Sequence, residues 1–468
     1  MEMMNENPAA LLPEIFLALA AVLGLLLGSY LPRHRQWLVR VLSAVACLAG
    51  IAVTVTMWSG MDQAVFGESY VIDVATNATR VIVLLATLVV TGLAGEVTGW
   101  AREAEFHVLV LLAALGTVVM AGAADLMLLA AGYLLASIPL YALAGFAKDK
   151  AGAEASLKFY LLGALLGVVT LIGVTLLFGV GGATAYMELR LDEAPSAAVA
   201  VGTIAVLAGL LFKIGAVPAH FWVPDVTEGA RPVVAAFVTT VPKIGAVVAT
   251  YRLVAVPLRD AGVDWSLLIA VIAAATMTLG NLAAFFQDNV RRLLAYSTIS
   301  QVGYLLMAVA VAERADLALP SMLLYLGAYA ITNLGAFAVV CALPSAVTLE
   351  DYRGLVRERP WLVVSLVVCL LGLVGTPPTA VFAGKLTVFT AALDGGLLWL
   401  VVLGAVNTVA SLFYYLRWVV PAVRGEAADA SDIRTSAARV AYLLAAASLA
   451  GGVLSGVVLP MFDGTLLQ

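Results

Sequence analysis

The chain has 468 residues, of which 63% are hydrophobic and 12% charged, and its mean hydropathy is +1.04. Soluble domains are about half apolar and about a quarter charged, so one water-soluble core cannot hide this excess and lipid must cover it. The net charge of −5 is small, and the basic residues stand singly or in short clusters between apolar runs, which excludes a nucleic-acid-binding face.

In chain order, the segment from Met1 to Pro8 carries Glu2 and Glu6 and no basic residue. It lacks the basic start of a cleaved signal, so the first apolar run reads as a retained helix. A membrane crossing needs about 20 mostly apolar residues. Runs that meet this lie at roughly 11–31, 37–58, 78–98, 106–123, 125–146, 156–180, 197–217, 231–253, 265–286, 292–312, 318–342, 361–394, 396–419 and 437–460. The expected fold is therefore an all-α integral membrane protein of about fourteen spans. The twelfth run is too long for one straight crossing, and Gly375-Thr376-Pro377-Pro378 should break it into two half-helices. The seventh ends in a similar way, at Lys213-Ile214-Gly215-Ala216-Val217-Pro218. Cys47, Cys341 and Cys369 lie far apart in apolar runs without metal-ligand spacing and read as small core residues.

With fourteen spans and the N-terminus outside, inner segments hold 17 of the 25 basic residues and outer segments hold five: Arg80, Arg190, Arg252, Arg259 and Arg314. Lysine and arginine favour the cytoplasmic side, and a miscounted span would scramble the alternation. Both termini are then expected on the outer side. The three basic residues left over are Lys213, Lys243 and Lys385, which fall inside apolar spans.

An ammonium held out of water is disfavoured in its charged form, so it can gain and lose a proton, as a relay requires. Arginine holds its proton too tightly for this. Lys213 and Lys385 sit near proline breaks, where half-helix ends and unwound backbone line polar cavities; Lys243 is about twelve residues into its span. The alternative for each is to reach an interface. His220, after Pro218, is either a proton-passing imidazole or a hydrogen-bonded loop residue. Asp225 and Glu228 read as turn and cap residues. Glu154 and Lys158, four apart, read as a helix pair or a proton entrance. His107 and His34 read as solvated. Ser297, Ser300 and Gln301 share a face of the tenth span and either order water or pack against a neighbour. No acid falls at a span centre; Glu14 and Asp125 come closest, so a carboxylate partner for a buried lysine must come from a span end or another subunit, or be absent.

Spans four to eight and nine to thirteen align as two five-helix units, with the broken seventh matching the broken twelfth and Lys213 matching Lys385. An odd number of spans inverts consecutive units, and interrupted helices at corresponding positions point to an ion path at the midplane. The single membrane domain, 1–468, divides into N-terminal helices (1–103), a first inverted repeat (104–255), a second (256–420) and a last helix (421–468).

Several strings carry a family resemblance. They are Glu154-Ala155-Ser156-Leu157-Lys158, Phe212-Lys213 through Pro218, His220-x-Trp222-Val223-Pro224-Asp225-Val226 with Glu228-Gly229-Ala230, Arg291-Arg292-Leu293-Leu294-Ala295-Tyr296-Ser297, Tyr352-Arg353-Gly354-Leu355, and Gly375-Thr376-Pro377 with Gly384-Lys385. On these the chain resembles the antiporter-like membrane subunits of NADH:quinone oxidoreductase (respiratory complex I), most of all those of the subunit N kind, over roughly residues 10–460. The resemblance implies fourteen helices with breaks in the seventh and twelfth, and proton translocation in a bacterial cell membrane driven by quinone reduction elsewhere. It implies that Lys213 serves the first half-channel, Lys243 the centre and Lys385 the second half-channel, with His220 on the central polar axis. It also implies NADH, FMN, iron–sulfur clusters and quinone in partner subunits, none of them bound here, and other antiporter-like and small membrane subunits as neighbours. The family's fifth-helix glutamate is replaced: in Gly132-Tyr133-Leu134-Leu135-Ala136-Ser137-Ile138-Pro139, Leu134 stands in its place. Asp125 or Glu154 are candidate substitutes. A tenth-helix position often occupied by histidine is Gln301.

No nucleotide fingerprint, cluster-ligand or haem motif appears in the sequence, so redox chemistry is assigned to other chains. Two other readings are a subunit of a multisubunit cation/proton antiporter or membrane-bound hydrogenase, and a pumping-inactive structural paralogue.

Overall fold

The computed structural model describes residues 7–58, 62–96, 102–259, 261–425 and 433–467. Glu2 and Glu6, used above to read the first helix as retained, lie outside the described residues.

Among the described residues, thirteen helices are long and apolar enough to cross a membrane. They are α1 (Leu12–Tyr30), α2 (Trp37–Met57), α3 (Val74–Leu93), α4 (Glu103–Gly122), α5 (Leu126–Ala144), α6 (Lys150–Gly181), α7 (Ser196–Ile214), α9 (Pro232–Ala255), α10 (Trp265–Ala284), α11 (Val290–Ala310), α12 (Ala318–Ala342), α15 (Leu398–Val423) and α16 (Thr435–Val453). A short α8 (Trp222–Gly229) follows α7. The twelfth run is two pieces of 15 residues each, α13 (Pro360–Val374) and α14 (Ala380–Asp394), so fourteen crossings are made, two of them broken. A last four-residue turn, α17, spans Ser455–Val458.

Loop-to-loop bonds test the parity of the count. On one face, Ala124 N–H donates to Ser69 O, and Leu126 N–H to Thr184 O, so the loops after the second, fourth and sixth spans lie together. On the other, Asn289 pairs with Thr348, Gly354 N–H donates to Arg424 O, and Arg434 N–H to Ala342 O. An odd miscount would have put these partners on opposite sides.

The acids stand at span ends because many are helix caps. Asp73, Asp125, Asp149 and Asp264 accept backbone N–H groups at the starts of α3, α5, α6 and α10, satisfying donors that hydrocarbon would leave unpaired.

Three expectations are corrected. First, the all-α reading omits an antiparallel hairpin, β1 (Gln63–Val65) with β2 (Tyr70–Ile72); its turn takes Phe66, Gly67 and Glu68 through positive φ, too short a pattern to register beside the long apolar runs. Second, Arg80 and Arg252 are not outer loop charges. Each lies within a helix at 1% exposure and is held bidentately. Arg80 Nε and Nη2 donate to Glu14 at 2.7 and 2.9 Å, and Arg252 Nη1 and Nη2 donate to Asp73 at 2.8 and 2.9 Å. The planar guanidinium fork suits such sites. Third, His107 is fully buried beside Phe106 in α4.

Every residue of α9 from Val233 to Ala255 is buried. It packs against α3, α4, α7, α8, α11 and α12. A Cβ at Gly245 would stand 2.2 Å from Thr117 O, so α9 meets α4 backbone to backbone, the close approach small residues permit in membranes.

Candidate functional site

The two breaks are built alike. α7 stops at Ile214 because Gly215 turns left-handed at φ +75; the N–H groups of Gly215 and Ala216 then return to Phe212 O and Leu211 O at 3.1 and 2.9 Å. α13 stops at Val374 because Gly375 does the same at φ +93, with Gly375 and Thr376 returning to Gly372 O and Leu371 O at 2.8 and 3.1 Å. Glycine is the residue this termination favours. Pro218, Pro377 and Pro378 follow, without an N–H to restart the helix at once. The Val217–Pro218 and Pro377–Pro378 bonds are cis.

Each break receives a lysine. Lys243 Nζ, from α9, donates to Ile214 O at 2.5 Å. Lys385 Nζ, from α14, donates to Val374 O at 2.8 Å and Leu373 O at 3.3 Å. These carbonyls belong to helix C-termini, where partners are lacking and the dipole is negative. The glycines also make room: a Cβ would lie 2.8 Å from Lys243 Nζ at Gly215 and 2.9 Å from Lys385 Cδ at Gly375.

Lys213 is held differently. Its ammonium, on the last turn of α7, donates to Ser137 Oγ of α5, and the Ser137 hydroxyl donates to Tyr133 O at 2.6 Å. Lys213 precedes its break, whereas Lys243 and Lys385 each donate to the helix end at a break.

The three lysines are 2%, 0% and 3% exposed in chain order. Each lies over an aromatic ring: Lys213 over Tyr133 at 5.1 Å, Lys243 over Trp222 at 5.6 Å and Lys385 over Tyr304 at 4.0 Å. Cations favour that face, the more so when desolvated. Among the described residues, no carboxylate pairs with any of them; the buried acids Glu14 and Asp73 are taken by arginines.

The other expected residues divide. Asp125 does not reach Lys213. It caps α5 through Met127 and Leu128 N–H at 2.7 and 2.9 Å, about 18 Å along the helix from Ser137 at the usual rise. Leu134 is 38% exposed on the outer side of α5. Glu154 and Lys158 pair at 2.9 Å on the surface, and Lys158 also reaches Asp225 at 3.0 Å. Asp225 and Glu228 lie within α8 and both bind Arg292, at 3.0 and 2.8 Å, so they tie α8 to α6 and α11 instead of capping a turn. Gln301 Nε2 donates to Leu373 O at 2.7 Å and its amide oxygen accepts from the Tyr325 hydroxyl, so it shares a carbonyl with Lys385. His220 is buried in the α7–α8 turn against Phe221. Sequence reasoning missed Ser137, Tyr133, Trp222 and Tyr304. Tyr133 and Ser137 carried a signal, two hydroxyls in an otherwise apolar stretch, and Trp222 stood in a string that carries the family resemblance.

A family model described as NADH:quinone oxidoreductase/Mrp antiporter, TM, matches residues 123–411. The NADH-quinone oxidoreductase subunit N 1 of Streptomyces griseus is 56% identical over 461 residues, covering 97% of this chain and 98% of that one. A chain of respiratory complex I from Thermus thermophilus superposes with a TM-score of 0.84 at 32% identity, covering 97% of this chain and all of that one. A chain of the Mrp complex from Dietzia sp. shares the fold, with a TM-score of 0.86 at 23% identity over 98% of this chain and 96% of that one.

Proposed function

The chain belongs to the NADH-quinone oxidoreductase subunit N family, and from that premise we propose that Lys213, Lys243 and Lys385 are the residues through which it moves protons. As a member of that family it is a proton-translocating membrane subunit of a complex I-type assembly. The observation that carries the residue assignment is the burial of three ammonium groups beside interrupted helices with, among the described residues, no carboxylate to fix their charge. A permanently ion-paired lysine would hold its proton; one held by a hydroxyl or by helix-end carbonyls is free to exchange it.

In this reading, quinone reduction in other subunits, which carry the NADH, FMN, iron–sulfur and quinone sites, drives the exchange. The neighbours are other membrane-arm subunits in a bacterial cell membrane. The face holding the loops after the odd-numbered spans is cytoplasmic. Burial of Arg80 and Arg252 in ion pairs leaves Arg190, Arg259 and Arg314 as the only basic residues of the outer segments, which strengthens the bias toward the inner face. Both termini then lie outside. Glu154, Lys158 and His220 stand at or near the inner face and the α7 break, where protons would enter.

A second reading, a scaffold whose channel no longer conducts, is favoured by Leu134. Replacing Lys213 by alanine separates the two. Protons moved per electron pair, measured in vesicles holding the whole complex, are expected to fall; an unchanged ratio would establish the scaffold. A sodium requirement for that proton flux would point to cation/proton antiport.

A further inference from the structure

Three arginines meet at one cavity that the lysine assignment does not use. The cavity has a volume of about 270 Å³ and is lined by Arg231, Arg291 and Arg434 together with Asp149 and Glu228. Its walls come from the starts of α6, α9, α11 and α16 and the ends of α8 and α12, all on the face that bears the loops after the odd-numbered spans. Drug-sized sites run to about 300–1,000 Å³, so this one suits a small ion or a headgroup.

The charges stand where helix ends add to them. Arg231 and Arg434 are the N-cap residues of α9 and α16, and neither side chain caps its helix. Arg291 is the second residue of α11. At the starts of α3, α5, α6 and α10 the cap is an aspartate, because a helix start is positive and favours an anion. The bias of basic residues toward the inner face accounts for arginines on this side. It does not account for three of them lining one cavity at the starts of three helices.

The surroundings fix these side chains in place. Arg291 Nη1 donates to Ala230 O at 2.7 Å, which seats its guanidinium beside Arg231. The Arg434 N–H donates to Ala342 O at 3.0 Å, which holds the start of α16 against α12. Both carboxylates have other duties. Asp149 Oδ1 accepts from Gly152 N–H at 2.7 Å, and Glu228 accepts from Arg292 at 2.8 Å and from Asn289 at 3.2 Å. The lining therefore sets three cations against two carboxylates. A tetrahedral oxyanion supplies the missing charge and accepts from guanidinium forks and helix-start N–H groups alike.

We propose that this cavity binds a phosphate group between Arg231, Arg291 and Arg434. On the orientation given above, the phosphate is either free inorganic phosphate from the cytoplasm or the headgroup of an anionic phospholipid of the inner leaflet. Bound there, it ties the inner end of the helix that carries Lys243 to α11 and α16. The lysine assignment does not depend on it.

The test uses the whole complex, wild type beside Arg231→Gln and Arg434→Gln, with preparations matched for subunit content. One arm measures binding of radiolabelled inorganic phosphate to complex held in nanodiscs of phosphatidylcholine alone. The other uses nanodiscs of phosphatidylcholine with phosphatidylglycerol, and mass spectrometry counts the phosphatidylglycerol that stays bound after a detergent wash. Each variant is expected to weaken phosphate binding by about tenfold or more, the scale of one charge-assisted hydrogen bond, or to lose a retained phosphatidylglycerol. A loss in the first arm identifies free phosphate as the source; a loss in the second arm alone identifies the headgroup. If Arg231→Gln fails to assemble, Arg434→Gln decides, since its neighbours Thr435 and Ser436 are exposed. Should neither arm change in an assembled variant, the cavity takes no phosphate, the proposal is overturned, and the arginines serve membrane orientation alone.

Discussion

Replacing Lys243 by alanine is expected to uncouple this subunit: protons moved per NADH fall while NADH oxidation under uncoupler persists. Lys243 is the most enclosed of the three lysines, on a helix buried from Val233 to Ala255. Its ammonium meets the C-terminus of α7 at Ile214 O, so its charge state is coupled to the broken helix that carries Lys213. Alanine removes the proton site and the cation that answers the helix dipole, and the apolar surroundings offer no replacement donor. The measurement is acidification of the vesicle interior, ratioed to NADH consumed.

Replacing Arg252 by leucine is expected to destabilise the chain by about 3–5 kcal/mol, the usual cost of leaving one partner of a buried ion pair uncompensated. Asp73 is fully buried and would keep its charge with the backbone N–H groups of Thr76, at 3.0 Å, and Leu467 to answer it. The pair ties α9 to the start of α3, so the loss loosens the N-terminal helices from the central one. Thermal unfolding in detergent measures it. Adding Asp73→Asn to Arg252→Leu should recover part of the loss, since asparagine keeps the cap on Thr76 and carries no charge. An unchanged midpoint in Arg252→Leu would show that the pair contributes nothing.

The long apolar runs, their number and the two breaks were legible because lipid imposes length, and because Gly215, Gly375 and the prolines after them interrupt backbone hydrogen bonding locally. Burial of Lys213, Lys243 and Lys385 was legible for the same reason. What those lysines touch was not. Ser137 lies 76 residues from Lys213, and Ile214 lies 29 from Lys243; only helix packing brings them together. The positive-inside count treated Arg80 and Arg252 as loop charges because each stands near a span end, and only the position of Glu14 and Asp73 reveals them as paired.

At Lys213, charge and proton exchange can be separated by substituting arginine, which keeps the cation and cannot release its proton. The decisive measurement is protons moved per NADH in vesicles carrying Lys213→Arg beside Lys213→Ala. Arginine is expected to be as deficient as alanine. If arginine sustained the full ratio, the site would need only a fixed positive charge, and proton transfer through the buried lysines would be refuted.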